Sequence, residues 1–301
     1  MKVLVAIDGS KYSLQALETA VKLLPENTFF TLVNCVEPVV ADPFGYENYT
    51  PDEVRDINEK LMLNSQLTLK TSIAYAKQSS LEFDTKIIQG KSKREIANFA
   101  KEHAYDLIVV GSRGMNPFKG LKLGSTTYSL LHNAPCSLLV FKTDQESTEI
   151  ADQTKVAFGY CDRQDSLHAC ELLSKFKASS LSKLYIVTVL QQRHIYGMDQ
   201  VTLEQMNKKH DEFKQAILER QHDVDPLLAP LTGKVPIHYA LIEGADNIPC
   251  SLSKFAKDQG CGLVVVGNKH ANNHSHIVGN ICLNVVYHSK VPVLISQKKS
   301  N

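Results

Sequence analysis

Along the first 142 residues, continuous apolar runs alternate with segments whose apolar positions recur at helical spacing. Residues 3–7 form the first run, which fits a strand buried on both faces. Residues 13–24 then place Leu14, Leu17, Val21 and Leu24 on one helical face. A second strand is predicted over 29–36, a Pro- and aromatic-rich loop over 38–51, and a long helix from Asp52 to about Ser80. Strand 83–89, helix 92–103, strand 107–110, a Gly-containing loop over 111–123, helix 125–132 and strand 137–142 complete this half. The order β-α-β-α-β-α-β-α-β predicts an α/β, doubly wound domain: a five-stranded parallel sheet with helices on both faces.

Residues 143–154 are polar and aperiodic and read as a linker. The second half then repeats the first. Lys155-Val156-Ala157-Phe158 echoes Lys2-Val3-Leu4-Val5, residues 184–190 echo the second strand, and residues 201–223 form another long helix. Ile237–Ile242 with Gly244 echoes Ile87-Ile88-Gln89-Gly90, and Phe255-Ala256-Lys257 echoes Phe99-Ala100-Lys101. Leu263-Val264-Val265-Val266-Gly267 echoes Leu107-Ile108-Val109-Val110-Gly111, and Val291-Pro292 echoes Ala134-Pro135. The echoes keep their order, with an offset running from 153 (Lys155 against Lys2) to 157 (Val291 against Ala134). An internal duplication accounts for them, giving domains at 1–142 and 155–298.

Composition narrows the class. Of 301 residues, 33 are basic and 32 acidic, with the signs interspersed, so no electrostatic case exists for nucleic acid or an anionic membrane as partner. The opening apolar run is too short for a signal-peptide core, and no stretch reaches the roughly 18 apolar residues of a membrane span. Seven cysteines, scattered and without a C-x-x-C pair, fit reduced thiols rather than a disulfide framework. The expectation is a soluble, cytoplasmic protein.

The chemistry concentrates at Val110-Gly111-Ser112-Arg113-Gly114, followed after nine residues by Gly124-Ser125-Thr126. This loop leaves the carboxyl end of a predicted strand and enters a predicted helix, where open parallel sheets bind ligands. Glycines allow close backbone approach and positive φ. Helix-opening amides favour an anion, Ser125 and Thr126 add hydroxyls, and Arg113 can form a charge-assisted contact. The bland alternative is loop glycines with Ser125 as an N-cap. Neither G-x-x-x-x-G-K-[ST] nor a G-x-G-x-x-G after the first strand is present.

The pattern G-x2-G-x9-G-[ST], with an opening strand ending Ile7-Asp8-Gly9-Ser10, resembles the ATP-binding branch of the universal stress protein family. The resemblance implies an adenosine pocket lined by Ile7 and Asp8, with adenine against the backbone near Cys35 and Val36. It implies ribose and phosphates on Val110, Gly111, Arg113, Gly114, Gly124, Ser125 and Thr126, with ATP (or ADP or AMP) and Mg²⁺ as ligands. Asp8 could instead be a helix N-terminal charge, and Cys35 a core thiol. The resemblance also implies that the last strands, 138–142 and 293–297, pair as in an internal dimer, with two chains able to associate.

The second half departs from the pattern at Gly267-Asn268-Lys269-His270 and Gly279-Asn280. His270 replaces the second glycine, the spacer is one residue short, Asn280 replaces the hydroxyl residue and Lys269 the arginine. Cys161 aligns with Asp8, though Asp162 sits one place along, and Gly159 and the bulky Tyr160 alter the same strand end. Weak or no nucleotide binding is expected there. His270, His274 and His276, with Cys261 a distant fourth candidate, could ligate Zn²⁺; a solvated polar loop is the bland reading, and no metal site is assigned. His132 and His288 fall near the ends of equivalent helices and suit carbonyl contacts better than chemistry. No G-x-S-x-G nucleophile turn or paired thiol signature occurs, so no catalytic residue is assigned. The functional expectation is an ATP-binding regulatory or stress-response protein without efficient turnover; a slow ATPase or phosphotransferase and a ligand-free scaffold are the alternatives.

Overall fold

The computed structural model describes residues 1–40, 49–76, 81–115, 122–142, 153–161, 164–191, 200–245, 247–268 and 280–299. Contacts divide them into two units, one built on 1–142, the other on 153–268 and 280–297.

In the first unit, β1 (Lys2–Ala6) carries Val3, Leu4 and Val5 with no exposed surface. Only a strand covered on both faces buries consecutive side chains, since neighbours point to opposite sides. Ser10 caps α1 (Lys11–Leu23) by accepting from the Ser13 amide at 3.2 Å. The buried residues of α1 are Ser13, Ala16, Leu17, Thr19, Ala20 and Leu23. The face they form is turned relative to the expected Leu14–Leu17–Val21–Leu24 stripe: Leu14 and Val21 are only half-buried. Ala16 and Ala20, with no exposed surface, take the place on this face that the stripe gives to Leu14 and Val21.

β2 (Phe29–Val36) and β3 (Phe83–Gln89) fall where the pattern places them. Between them α2 (Pro51–Ala76) starts one residue before the expected Asp52. Thr50 and Glu53 form a capping box: Thr50 Oγ1 accepts from the Glu53 amide (3.3 Å), and Glu53 Oε2 accepts from the Thr50 amide (2.7 Å). Pro51 takes the first helical position, where a missing N–H costs nothing. The half ends with α3 (Ser92–Glu102), β4 (Leu107–Gly111), α4 (Ser125–Asn133) and β5 (Ser137–Phe141). All pairings are parallel, in the order β3-β2-β1-β4-β5. The order reverses between β1 and β4, which opens a crevice at their carboxyl ends.

The second unit repeats this plan with β6 (Thr154–Gly159), α5 (Gln164–Leu173), β7 (Leu181–Gln191), α6 (Gln200–Arg220), α7 (Asp225–Leu228), β8 (Ile237–Ala245), α8 (Ile248–Asp258), β9 (Leu263–Gly267), α9 (Asn280–His288) and β10 (Val293–Ser296). Its parallel order is β10-β9-β6-β7-β8. Thr154 opens β6, so it is a strand residue and not the end of a linker. The single long helix expected over 201–223 instead stops at Arg220, passes through a 3₁₀ turn (Gln221–Val224) and restarts as α7. Pro226 explains the break, because its ring would clash with the carbonyl four residues earlier, inside that turn. Strand β8 runs through Gly244, beyond the expected end at 242. No described helix is long and apolar enough to cross a membrane, and none of the seven cysteines forms a disulfide.

Candidate functional site

A cleft of about 190 Å³ opens at the carboxyl ends of β1, β2 and β4 in the first unit. From β1 and its turn come Ile7 and Asp8, from β2 Val33, Asn34 and Cys35, and from β4 and its loop Val110, Gly111, Arg113 and Gly114. Helix α4 adds Thr126 and Thr127, and α3 adds Ser92 and Ile96. Eight of the eleven residues expected from sequence thus line one cleft: Ile7, Asp8, Cys35, Val110, Gly111, Arg113, Gly114 and Thr126.

The other three serve nearby. Val36 alternates to the opposite face from Cys35 and is buried; its carbonyl accepts from the Gly90 amide at 2.8 Å. Gly124 is the N-cap of α4, and its amide donates to the Ser112 carbonyl at 2.7 Å, so that N–H is committed within the protein. Ser125 is exposed at the helix start.

The turn after β1 is held tightly. Gly9 adopts φ +84°, a left-handed conformation disfavoured for residues with a Cβ. This lets Asp8 Oδ1 accept from the Ser10 amide at 3.0 Å. The loop glycines Gly111, Gly114 and Gly124 have no positive φ, contrary to expectation; they are there for space. A Cβ on Gly111 would lie 2.8 Å from the Tyr12 carbonyl carbon and 2.9 Å from the Ser13 nitrogen, so this glycine admits the start of α1 against β4. A Cβ on Gly114 would lie 2.9 Å from Asp8 Oδ2, so this one admits the carboxylate. Around Gly124 the nearest atoms would be at 3.6 Å, an ordinary contact.

Helix α4 has no side-chain cap, unlike α1. Among the described residues no acceptor meets the amides of Ser125 and Thr126. Thr127 Oγ1 donates to the Gly111 carbonyl at 2.7 Å and so pins the helix to the end of β4. The result is a helix mouth with open amides, a guanidinium (Arg113) and a hydroxyl (Thr126) beside an apolar floor, a combination suited to an anion joined to a flat apolar group.

Seven lining residues went unforeseen, Asn34 and Ser92 among them. Asn34 donates from Nδ2 to the Ile7 carbonyl (2.6 Å) and accepts from Ser65 Oγ (2.7 Å), which ties the end of β1 to α2. Its signal was a polar residue inside an apolar strand run. Ser92 sits at the start of α3 and carried no signal of its own.

Cys35 donates to the Gly90 carbonyl at 3.1 Å. Burial, with added repulsion from Glu95 and Glu37, pushes its thiol up to about 11. Such a thiol is not a nucleophile at neutral pH. Alkylation of Cys35 followed by mass spectrometry at pH 7–8 should run about a hundredfold slower than an unshifted thiol, rising about tenfold per pH unit and levelling off only near pH 11. Modification at the rate of free cysteine would contradict that assignment.

The second unit keeps the scaffold and changes the groups. Cys161 stands where Asp8 does, and its amide donates to Ser166 Oγ at 3.0 Å, as the Asp8 amide does to Ser13 Oγ at 3.4 Å. Tyr160, at the position of Ile7, is buried and donates its hydroxyl to the Arg220 carbonyl at 2.7 Å. His270, His274 and His276 lie outside the described residues. Cys261 is a buried thiol pushed up to about 11 by burial, which disfavours the thiolate a metal needs. Among the described residues no group of three His, Cys, Asp or Glu side chains converges.

A model of the universal stress protein family matches residues 1–142 and again residues 154–297. The universal stress protein YxiE of Bacillus subtilis is 30% identical over 145 residues, which cover 47% of this chain and 98% of that protein. A universal stress protein of Methanocaldococcus jannaschii is 31% identical over 142 residues, 47% of this chain and 81% of that one. The crystal structure of a universal stress protein from Archaeoglobus fulgidus superposes with a TM-score of 0.65 at 17% identity, covering 99% of this chain and 97% of that chain, a likeness of fold.

Proposed function

Since the chain belongs to the universal stress protein family, with the family's domain present twice in tandem, we propose that its first domain is a receptor for an adenine nucleotide, ATP or its ADP and AMP relatives, that holds the ligand without efficient turnover. The observation that carries this reading is the convergence, in one cleft, of Asp8, Arg113, Gly114 and Thr126 with the apolar Ile7 and Val110. The base and sugar would lie toward Ile7, Asp8 and Cys35, and the phosphates toward Arg113 and the open mouth of α4. Magnesium would enter on the phosphate oxygens with water as most of its shell; Asp8 is the lining carboxylate among the described residues, and Ser92 and Thr126 are hydroxyl donors in the same cleft.

Slow or absent turnover follows from the lining. Asp8 is the cleft's carboxylate, and its Oδ1 already accepts from Ser10. Among the described residues, no histidine or second carboxylate lines the cleft to activate water. In the second domain Cys161 and Tyr160 replace the corresponding carboxylate and aliphatic side chain, so binding there would be weak or nil. The chain would act as a cytoplasmic stress-response regulator whose occupancy is read by partner contacts.

The chain has 11 tyrosines and no tryptophan, so co-purified nucleotide adds visibly at 260 nm. Excess 260 nm absorbance, or calorimetric binding of ATP in the micromolar range (on the order of −8 kcal/mol), is expected. A clean protein spectrum with no heat on ATP addition would sink the reading and leave a ligand-free scaffold. Phosphate release at enzyme-like rates would replace it with an ATPase.

A further inference from the structure

The turn between β3 and α3 builds a wall of the cleft that no motif announces. Gly90, at φ +124°, swings the chain out of β3, and Ser92 begins α3 facing the same cleft as Thr126. The two hydroxyls are 2.8 Å apart. Within such a pair one proton is spent on the bridge and the other is left for a ligand.

The bridge joins two open helix ends. Neither Lys91 before α3 nor Gly124 before α4 supplies a side-chain cap. Among the described residues, the amides of Ser92 and Lys93, like those of Ser125 and Thr126, meet no acceptor. A second bond, from Ser129 Oγ to the Lys93 carbonyl at 2.6 Å, holds the two helices together. The other half differs at the same place. Counting from Phe255 against Phe99, Ile248 stands where Ser92 does, and Asn247 caps α8 by accepting from the Cys250 amide at 3.0 Å. The half with the altered loop has closed the helix that the first half leaves open.

We propose that Ser92 is a phosphate-positioning residue: its bridge fixes the Thr126 hydroxyl so that this group and the open ends of α3 and α4 address one phosphoryl group together. The proposal rests on the nucleotide reading above and deepens it, because two helix termini favour an anion and give little to a neutral nucleoside.

The test compares ATP and adenosine binding by calorimetry to the full chain and to Ser92→Ala and Ser92→Thr, with thermal melting as a check on folding. Ser92→Ala should weaken ATP about tenfold while adenosine binding and melting stay as in the parent, and Ser92→Thr should restore ATP binding to within about twofold. Unchanged ATP affinity in Ser92→Ala would overturn the proposal, as would an equal loss for adenosine. A parent protein silent to ATP overturns the nucleotide reading and this proposal with it, whereas failure of the serine variant alone leaves that reading standing.

Discussion

Gly114→His should weaken ATP binding about a hundredfold or more while leaving the fold in place. A hundredfold is about 2.7 kcal/mol, the value of one or two hydrogen bonds to charged groups. A Cβ at this position would stand 2.9 Å from Asp8 Oδ2. The carboxylate has little room to retreat, because its other oxygen holds the Ser10 amide and Ser10 in turn caps α1. The imidazole would also project into the cleft beside Arg113. Gly124→Ala is the contrasting variant: its Cβ would meet nothing closer than 3.6 Å and its amide is already committed, so affinity should stay within about threefold. Titration calorimetry decides both, and a Gly114→His protein that binds as the parent does would refute this account of the glycine.

Gly111→Val should have the largest effect on stability. The atoms it would meet, at 2.8–2.9 Å, include the backbone of Tyr12 and Ser13, which cannot swing aside as a side-chain tip can. Helix α1 would have to back away from β4, opening the packing around Leu17 and Ala20, both fully buried. Overpacking of this kind costs about 3 kcal/mol at the upper end of the usual range. In a domain of this size that lowers the transition by roughly 10 °C. The two units need not melt together, so differential scanning calorimetry should show one transition falling while the other stays. The falling one should be the transition that ATP raises in the parent, by mass action on the folded first domain. An unchanged thermogram would show that the helix can yield at no cost.

The architecture was legible because parallel strands buried on both faces leave unbroken apolar runs. Strands 29–36 and 83–89 end where the pattern ends. The face of α1 was misplaced because hydrophobicity alone ranks leucine above alanine, whereas close packing on a sheet selects Ala16 and Ala20. The helix expected to end at 223 loses its last turn to a 3₁₀ segment because Pro226, just beyond that end, disturbs the residues before it. At the candidate site the residue types were readable but their reasons were not. Gly111 reads as room for a phosphate and proves to be room for a helix, since sequence does not say which neighbour comes close. The roles of Ser92 and Asn34 are not legible for a related reason: each works through a partner distant in sequence, Thr126 and Ser65, and only folding brings them within reach.

The bond from Thr127 Oγ1 to the Gly111 carbonyl has a counterpart in the second unit, where Cys282 Sγ donates to the Gly267 carbonyl at 3.2 Å. Strand end and helix start are stitched together at the base of both loops, although one spacer is a residue shorter and nearly every residue between differs. The joint between strand and helix is therefore set by these anchors and tolerates a change from hydroxyl to thiol. Such a joint is a splice point: an engineer could exchange the segment between the two anchors and keep the junction of strand and helix.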